Sequence, residues 1–322
     1  MQKNSKIIAL IIVLIFILAL TPGCSKKQEE QAEPVTILKI GILPVEDTMP
    51  FLVGDQKGFF AEQKIKVELV PFQSAVEKES ALQSGQLDGV ITDLIVAALL
   101  KASGLDIKIT TLTSGVTPAE GRFAILTAPG KEVDSLQELQ GKKIGITNNT
   151  IIEYVTDGLL QEAGISPRQV EKVVVPKLPV RLEMLLNGQV DAATLPDPLA
   201  AFAEFQGAKV FGDNTARANL SQVVLVMLNE SIREKSTALK NFFSAYSKAV
   251  EEYNRDPEAY RSLLVEQAKV PEPIQAEYKL PLFPLPRLPQ EKEVNDVLTW
   301  LQEKDLLKNN ITYPDLIAEG LY

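Results

Sequence analysis

Four carboxylates, Glu46, Asp47, Asp93 and Asp197, stand where short apolar runs give way to polar loops. Such groups can do two kinds of work. They can hold a cation or an amine by charge and hydrogen bonding, or two of them can act as acid and base across a substrate, as in glycoside hydrolysis. On residue type alone, Glu46 with Asp93 or Asp197 fits either role. The other ingredients of catalysis are missing. The chain has no histidine, which removes the commonest general base and neutral metal ligand. It has one cysteine, so neither an internal disulfide nor a thiolate metal cluster is expected. There is no Gly-x-x-x-x-Gly-Lys phosphate loop and no nucleophile motif. No metal and no cofactor is expected.

The carboxylates belong to a set of loops: Glu46-Asp47-Thr48, Phe72-Gln73-Ser74, Thr92-Asp93, Ser114-Gly115, Asn148-Asn149-Thr150, and Asp197 between two prolines. Each follows a strand-like run, and most precede a helix-like one. Free N–H groups and the helix dipole at such junctions attract polar or negative ligand groups. All of these residues except Gly115 are therefore candidate ligand contacts. Ser74 and Thr150 also read as plain helix caps, and Phe72 as either a packed residue or a stacking platform. No lysine or arginine falls unambiguously in the loops; Arg122 and Arg217, near the passages between the halves, are the two exceptions to weigh. A crevice lined this way should repel sulfonate or nitrate and suit an amine, a cation or an amino-substituted ring.

The elements that position these loops occur twice. Gly85-Gln86-Leu87-Asp88 returns as Gly188-Gln189-Val190-Asp191, 103 positions later. Lys39-Ile40-Gly41-Ile42 returns as Lys143-Ile144-Gly145-Ile146, and Val70-Pro71 as Val175-Pro176. A unit this long is not a solenoid repeat. It predicts two halves of like construction. In each, strands alternate with helices (Lys66–Val70 and Gly89–Thr92 in the first half, Lys172–Val175 and Ala192–Leu195 in the second), which implies parallel sheets with helices on both faces. Ligands of such sheets sit beyond the carboxyl ends of the strands. Passages between the halves near 116–122 and 213–221 predict a two-stranded hinge.

Composition is that of a folded chain: 322 residues, 45% hydrophobic, 23% charged, with net charge −9. That charge argues against nucleic acid or an anionic membrane surface as partner. At the start, Lys3 and Lys6 precede an apolar run from Ile7 to Leu20, shorter than the roughly 20 residues needed to span a bilayer. This fits a secretory signal over 1–24, with Gly23 directly before Cys24. The pattern resembles a bacterial lipoprotein signal, in which Cys24 becomes the acylated first residue. Residues 25–34 contain no large apolar side chain and read as a solvated tether.

Two groups of residues carry a wider resemblance. One is Lys57-Gly58-Phe59-Phe60-Ala61-Glu62 with Leu82 to Gly89; the other is Leu136 to Ile146 with Leu186 to Ala193 and Pro198. On these the chain resembles the extracytoplasmic solute-binding proteins of bacterial ABC importers. The branch is the one that holds nitrate, sulfonate and taurine binders and thiamine-precursor (pyrimidine) binders. The resemblance implies an α/β protein with the two-lobed, type II periplasmic-binding-protein fold, two doubly wound sheets joined by the two-stranded hinge. Lobe 1 would comprise 35–117 and 220–322, and lobe 2 would comprise 118–219. It implies a monomer, held outside the cell membrane by a lipid on Cys24, that closes on a small-molecule ligand and delivers it to permease and ATPase subunits. It implies binding rather than catalysis, although some relatives of the fold serve in pyrimidine synthesis.

Overall fold

The computed structural model describes residues 35–117, 120–131, 135–216 and 220–322. The signal segment, the tether, Cys24, Pro118 and Arg217 lie outside the described residues. Residues Val35–Tyr322 pack as one unit. Among the described residues no helix is long and apolar enough to cross a membrane.

In chain order the first half places β1 (Thr36–Ile42), α1 (Met49–Gln56), β2 (Ile65–Pro71), α2 (Ala75–Gln83), β3 (Gly89–Asp93), α3 (Leu94–Ala102) and β4 (Ile107–Ser114). The second half follows with β5 (Phe123–Thr127), β6 (Lys143–Ile146), α4 (Ile151–Glu162), β7 (Glu171–Val174), α5 (Leu178–Leu186), β8 (Ala192–Pro196), α6 (Leu199–Phe205) and β9 (Lys209–Asp213). The chain then returns as β10 (Val223–Leu228) and continues into α7 (Ser236–Arg255) and α8 (Glu291–Glu303).

Two five-stranded sheets result, ordered β2-β1-β3-β10-β4 and β7-β6-β8-β5-β9. Their topologies match position for position. The sheets are mixed rather than parallel, which corrects the sequence expectation. β10 runs antiparallel to β3 and β4, and β5 antiparallel to β8 and β9. These are the strands by which the chain enters a sheet after crossing from the other half, so they arrive from the opposite end. The remaining pairings among β1, β2 and β3, and among β6, β7 and β8, are parallel.

The repeated tetrapeptides have a structural task. Gly85 and Gly188 end α2 and α5 at φ 73° and 68°, a left-handed conformation that glycine adopts without strain. Asp88 then accepts the Lys39 N–H at 2.9 Å, and Asp191 accepts the Lys143 N–H at 3.0 Å. Each aspartate thus pins the strand beside it through the same lysine N–H of the repeated segment. The echo at 103 residues records a pair of strand clasps, not a ligand contact.

α3 is apolar except for Lys101 in its last turn and sits inside, with Leu94, Ile95, Val96, Ala97, Ala98 and Leu100 buried. α8 covers it and reaches α4 beside the second sheet. Trp300 Nε1 donates to Asp157 on α4 at 3.3 Å, and Lys304 meets Glu153 at 2.5 Å. The two passages between the sheets touch at Gly115 (φ 83°), where a Cβ would stand 2.2 Å from the carbonyl oxygen of Ser221. Asn214 ties the same region together, donating to Gly121 and Ser221 and accepting from the Phe123 N–H.

Candidate functional site

The carboxyl ends of both sheets face each other across a cavity of about 100 Å³. The first sheet and its loops contribute Asp47, Ser74, Thr92 and Asp93, and the second contributes Phe123, Thr147, Thr150 and Pro196. Ligand pockets for drug-sized molecules start at roughly 300 Å³, so this cavity is small. Val45, Asp47, Phe123, Pro196 and Val223 also wall a smaller neighbouring pocket, which is lined further by Glu46, Ser114, Arg122 and Asp197.

Asp93 links the two halves directly. Its Oδ1 caps its own helix by accepting the Val96 N–H at 2.8 Å. Its Oδ2 accepts the N–H of Ile151, the first residue of α4 in the other lobe, at 3.1 Å. One carboxylate thereby serves two helix N-termini, where partial positive charge favours it. Burial nevertheless pushes its pKa up to about 6, against the pull of those two N–H groups.

The candidates divide by position. Asp47, Ser74, Thr92, Asp93 and Thr150 line the main cavity, and Glu46, Ser114 and Asp197 the adjoining one. Phe72, Thr48, Gln73, Asn148 and Asn149 line neither. Phe72 packs on the apolar core. Thr48 is buried and donates to the Val45 carbonyl. Gln73 and Asn149 give their N–H groups to the Glu77 and Glu153 carboxylates, completing the caps of α2 and α4. Asn148 is exposed. Ser74 and Thr150 cap these helices, accepting from Glu77 N and Ile152 N, while sitting at the cavity wall.

Arg122 pairs with Asp197 at 3.5 Å, Glu204 at 2.6 Å and Asp213 at 2.9 Å, so its charge is committed within its own lobe. Two cations that sequence reasoning missed do line the main cavity: Lys78 on α2 and Arg181 on α5. They overturn the expectation that no lysine or arginine lies in the crevice, and with it the electrostatic case against an anionic ligand. They were missed because both sit inside helices, not in the loops at the strand ends. The repeat offset was the available signal, since 78 and 181 are also 103 apart.

The buried acids favour their protonated forms. Glu46 is pushed up to about 8 by burial and then by the charge of Asp197, although the Tyr278 hydroxyl donates to it and draws it down. Burial raises Asp47 to about 6, with Lys78 opposing, and Asp197 to about 6, with Arg122 opposing. Unfolded carboxyls titrate near ~4. Between there and about 8 the folded chain holds more protons than the unfolded one, so stability falls as pH rises across that window. Melting temperatures measured from pH 5 to 8 are expected to decline. In Glu46→Gln, which carries no charge at any pH, the slope between about 6 and 8 disappears, while the slope below 6, carried by Asp47, Asp93 and Asp197, remains. An unchanged slope in the variant would mean that Glu46 stays ionised.

The likeness to known proteins bears on what this crevice does. Residues 46–260 match the NMT1/THI5-like family. The chain belongs to that family. Two relatives are a putative ABC transporter periplasmic binding protein of Brachyspira hyodysenteriae and a putative thiamine biosynthesis protein of Haemophilus influenzae. The first is 22% identical over 272 residues, spanning 80% of this chain and 76% of the relative. The second is 24% identical over 230 residues, spanning 68% and 69%. Among solved structures, the periplasmic aliphatic sulphonate binding protein SsuA of Escherichia coli superposes with a TM-score of 0.72 at 19% identity, covering 89% of this chain and 98% of that one. The fold of this NMT1/THI5-like protein is therefore that of periplasmic binding proteins. The family match begins at Glu46 itself and takes in Asp47, Asp93, Arg181 and Asp197. The match thus holds the charged wall of both pockets.

Proposed function

We propose that this NMT1/THI5-like protein is the solute receptor of an ABC importer, anchored outside the membrane through a lipid on Cys24. Its lobes hinge about the Gly115–Ser221 crossing and shut over one compact polar solute, which a permease and its ATPase then take up. The observation that carries the reading is the interlobe cavity, built from strand-end loops of both sheets and bridged by the Asp93–Ile151 hydrogen bond. A ligand touching both walls stabilises the shut form by its preference for that form alone.

The solute carries an N–H group. Asp47 lines the cavity, and its buried Oδ1 has no hydrogen-bond partner. An unmet buried acceptor is costly, so a donor from the ligand is favoured there. An amine or amino-heterocycle such as a pyrimidine vitamin precursor meets this need, and so does the amino group of taurine.

Thermal-shift screening against aminopyrimidines, simple amines, taurine and nitrate tests the reading. A true ligand at a hundred times its dissociation constant adds about 2.7 kcal/mol to stability. Recovery of that ligand unchanged is the expected result. Its conversion to a product would replace the receptor with an enzyme using Glu46 and Asp197, and stabilisation by none of the solutes would remove the proposed ligand classes.

A further inference from the structure

Lys78 and Arg181 occupy equivalent places in the two halves. Each lies on the helix after the second strand of its first parallel trio, α2 in one lobe and α5 in the other. They are 2% and 0% exposed. Each stem crosses a glycine of the repeated Lys-Ile-Gly-Ile strand. A Cβ on Gly41 would fall 3.0 Å from Lys78 Cγ, and one on Gly145 3.3 Å from Arg181 Cγ. Those glycines leave the room in which a long basic side chain can run from the helix to the cavity wall. The duplication has thus put one buried cation from each lobe into the same cavity.

Their surroundings have diverged. Lys78 Nζ donates to the Ile91 carbonyl and lies 3.5 Å from the Glu79 carboxylate, while Asp47 and Asp93 feel its charge. Its positive charge is matched inside its own lobe. Arg181 has no such company. Nη1 donates to Thr147 Oγ1 at 2.6 Å and more distantly to the Val175 carbonyl at 3.4 Å. Nε and Nη2, equally buried, have no partner. No ion pair to Arg181 is present among the described residues, and burial alone draws its pKa down to about 9. A buried guanidinium without a counter-charge is strongly unfavourable. The Nε N–H and the Nη2 N–H on the same side of the guanidinium form the fork that binds two oxygens of one acid group side by side.

We propose that Arg181 anchors an anionic oxygen-acid group of the solute, whereas Lys78, its counterpart in the repeat, balances the carboxylates of lobe 1. The inference rests on the cavity being the solute site. It adds a second end to the ligand: an N–H group toward Asp47 in lobe 1 and an acid group toward Arg181 in lobe 2. The shared chemistry is a compact amino acid in the broad sense, whether carboxylic, sulfonic or phosphoric.

Calorimetric and thermal-shift titrations with β-alanine, taurine and phosphoethanolamine separate the three acids. Propylamine, which has only the amine, and 4-aminopyrimidine, which has no acid, complete the set. At least one acid is expected to bind the wild type. Arg181→Met should weaken that binding at least about tenfold, since a buried charge loses its partner. Without any probe, Arg181→Met should melt at or above the wild-type temperature, because an uncompensated buried charge has been replaced by an apolar side chain of similar length. A purely structural arginine would give the reverse, a lower melting temperature with affinity intact. If the methionine variant does not fold, Arg181→Lys decides, because it keeps the charge and loses the fork; wild-type affinity in it would overturn the anchor. Stabilisation by propylamine or 4-aminopyrimidine and by none of the acids would also overturn it, yet would leave the receptor standing.

Discussion

Replacing Asp93 by alanine lowers solute affinity by roughly ten- to a hundredfold while the protein stays folded. The Asp93 carboxylate accepts the N–H of Ile151 from the opposite lobe and that of Val96 at the head of its own helix. A hydrogen bond to a charged group contributes about 1.5–3 kcal/mol. In the closure proposed above the bond to Ile151 belongs to the shut form, so its loss would shift the equilibrium toward the open form by that amount, and each 1.4 kcal/mol is a factor of about ten. The fold suffers less. Losing the cap on α3 costs about 1 kcal/mol, and removing a buried carboxylate relieves some desolvation in return. Titration calorimetry reads the affinity, and small-angle scattering with and without solute reads the closure. Wild-type affinity together with wild-type compactness would show that Asp93 is only a helix cap.

The second large effect is expected at the crossing between lobes. Gly115 combines a left-handed backbone, φ 83°, with a neighbour that cannot yield. An added Cβ would sit 2.2 Å from the Ser221 carbonyl oxygen and 2.9 Å from the Gln222 Cα, both backbone. The left-handed conformation costs a non-glycine residue about 1–2 kcal/mol, and the overlap about 1–3 kcal/mol more. Gly115→Ala should therefore lose about 3 kcal/mol of stability. Gly130→Ala supplies the control, since Gly130 has φ 75° and nothing within 4 Å of its would-be Cβ. Urea unfolding of both variants isolates the overlap as their difference. Equal losses would show that the passages between the lobes can part without cost.

Much of this architecture was legible in the chain. The repeated Lys-Ile-Gly-Ile and Gly-Gln-x-Asp segments announce two like halves because each asks for the same local arrangement: a strand buried on both faces, and a helix stop followed by an aspartate that clasps the next strand. The cap at Ser74, the cap at Thr150 and the apolar α3 are local matters of one or two turns, and they stand where residue type placed them. The direction of β5 and β10 was not legible. Nothing in Phe123–Thr127 or Val223–Leu228 distinguishes a strand that enters a sheet from one end or from the other.

The site shows the same boundary. Strand-end position by itself marked Asp47, Asp93 and Asp197 as facing the crevice, since a parallel strand can deliver its loop to only one edge of the sheet. Which helical side chains reach that edge depended on tertiary packing. Lys78 and Arg181 arrive there because Gly41 and Gly145 leave space beneath their stems, a relation between residues some 37 positions apart. Sequence alone determined the duplication, the strand-end carboxylates and the helix caps, because these depend on neighbours along the chain. Only the folded structure decided where charge lies unmatched, because burial and partnership are made between segments distant in sequence.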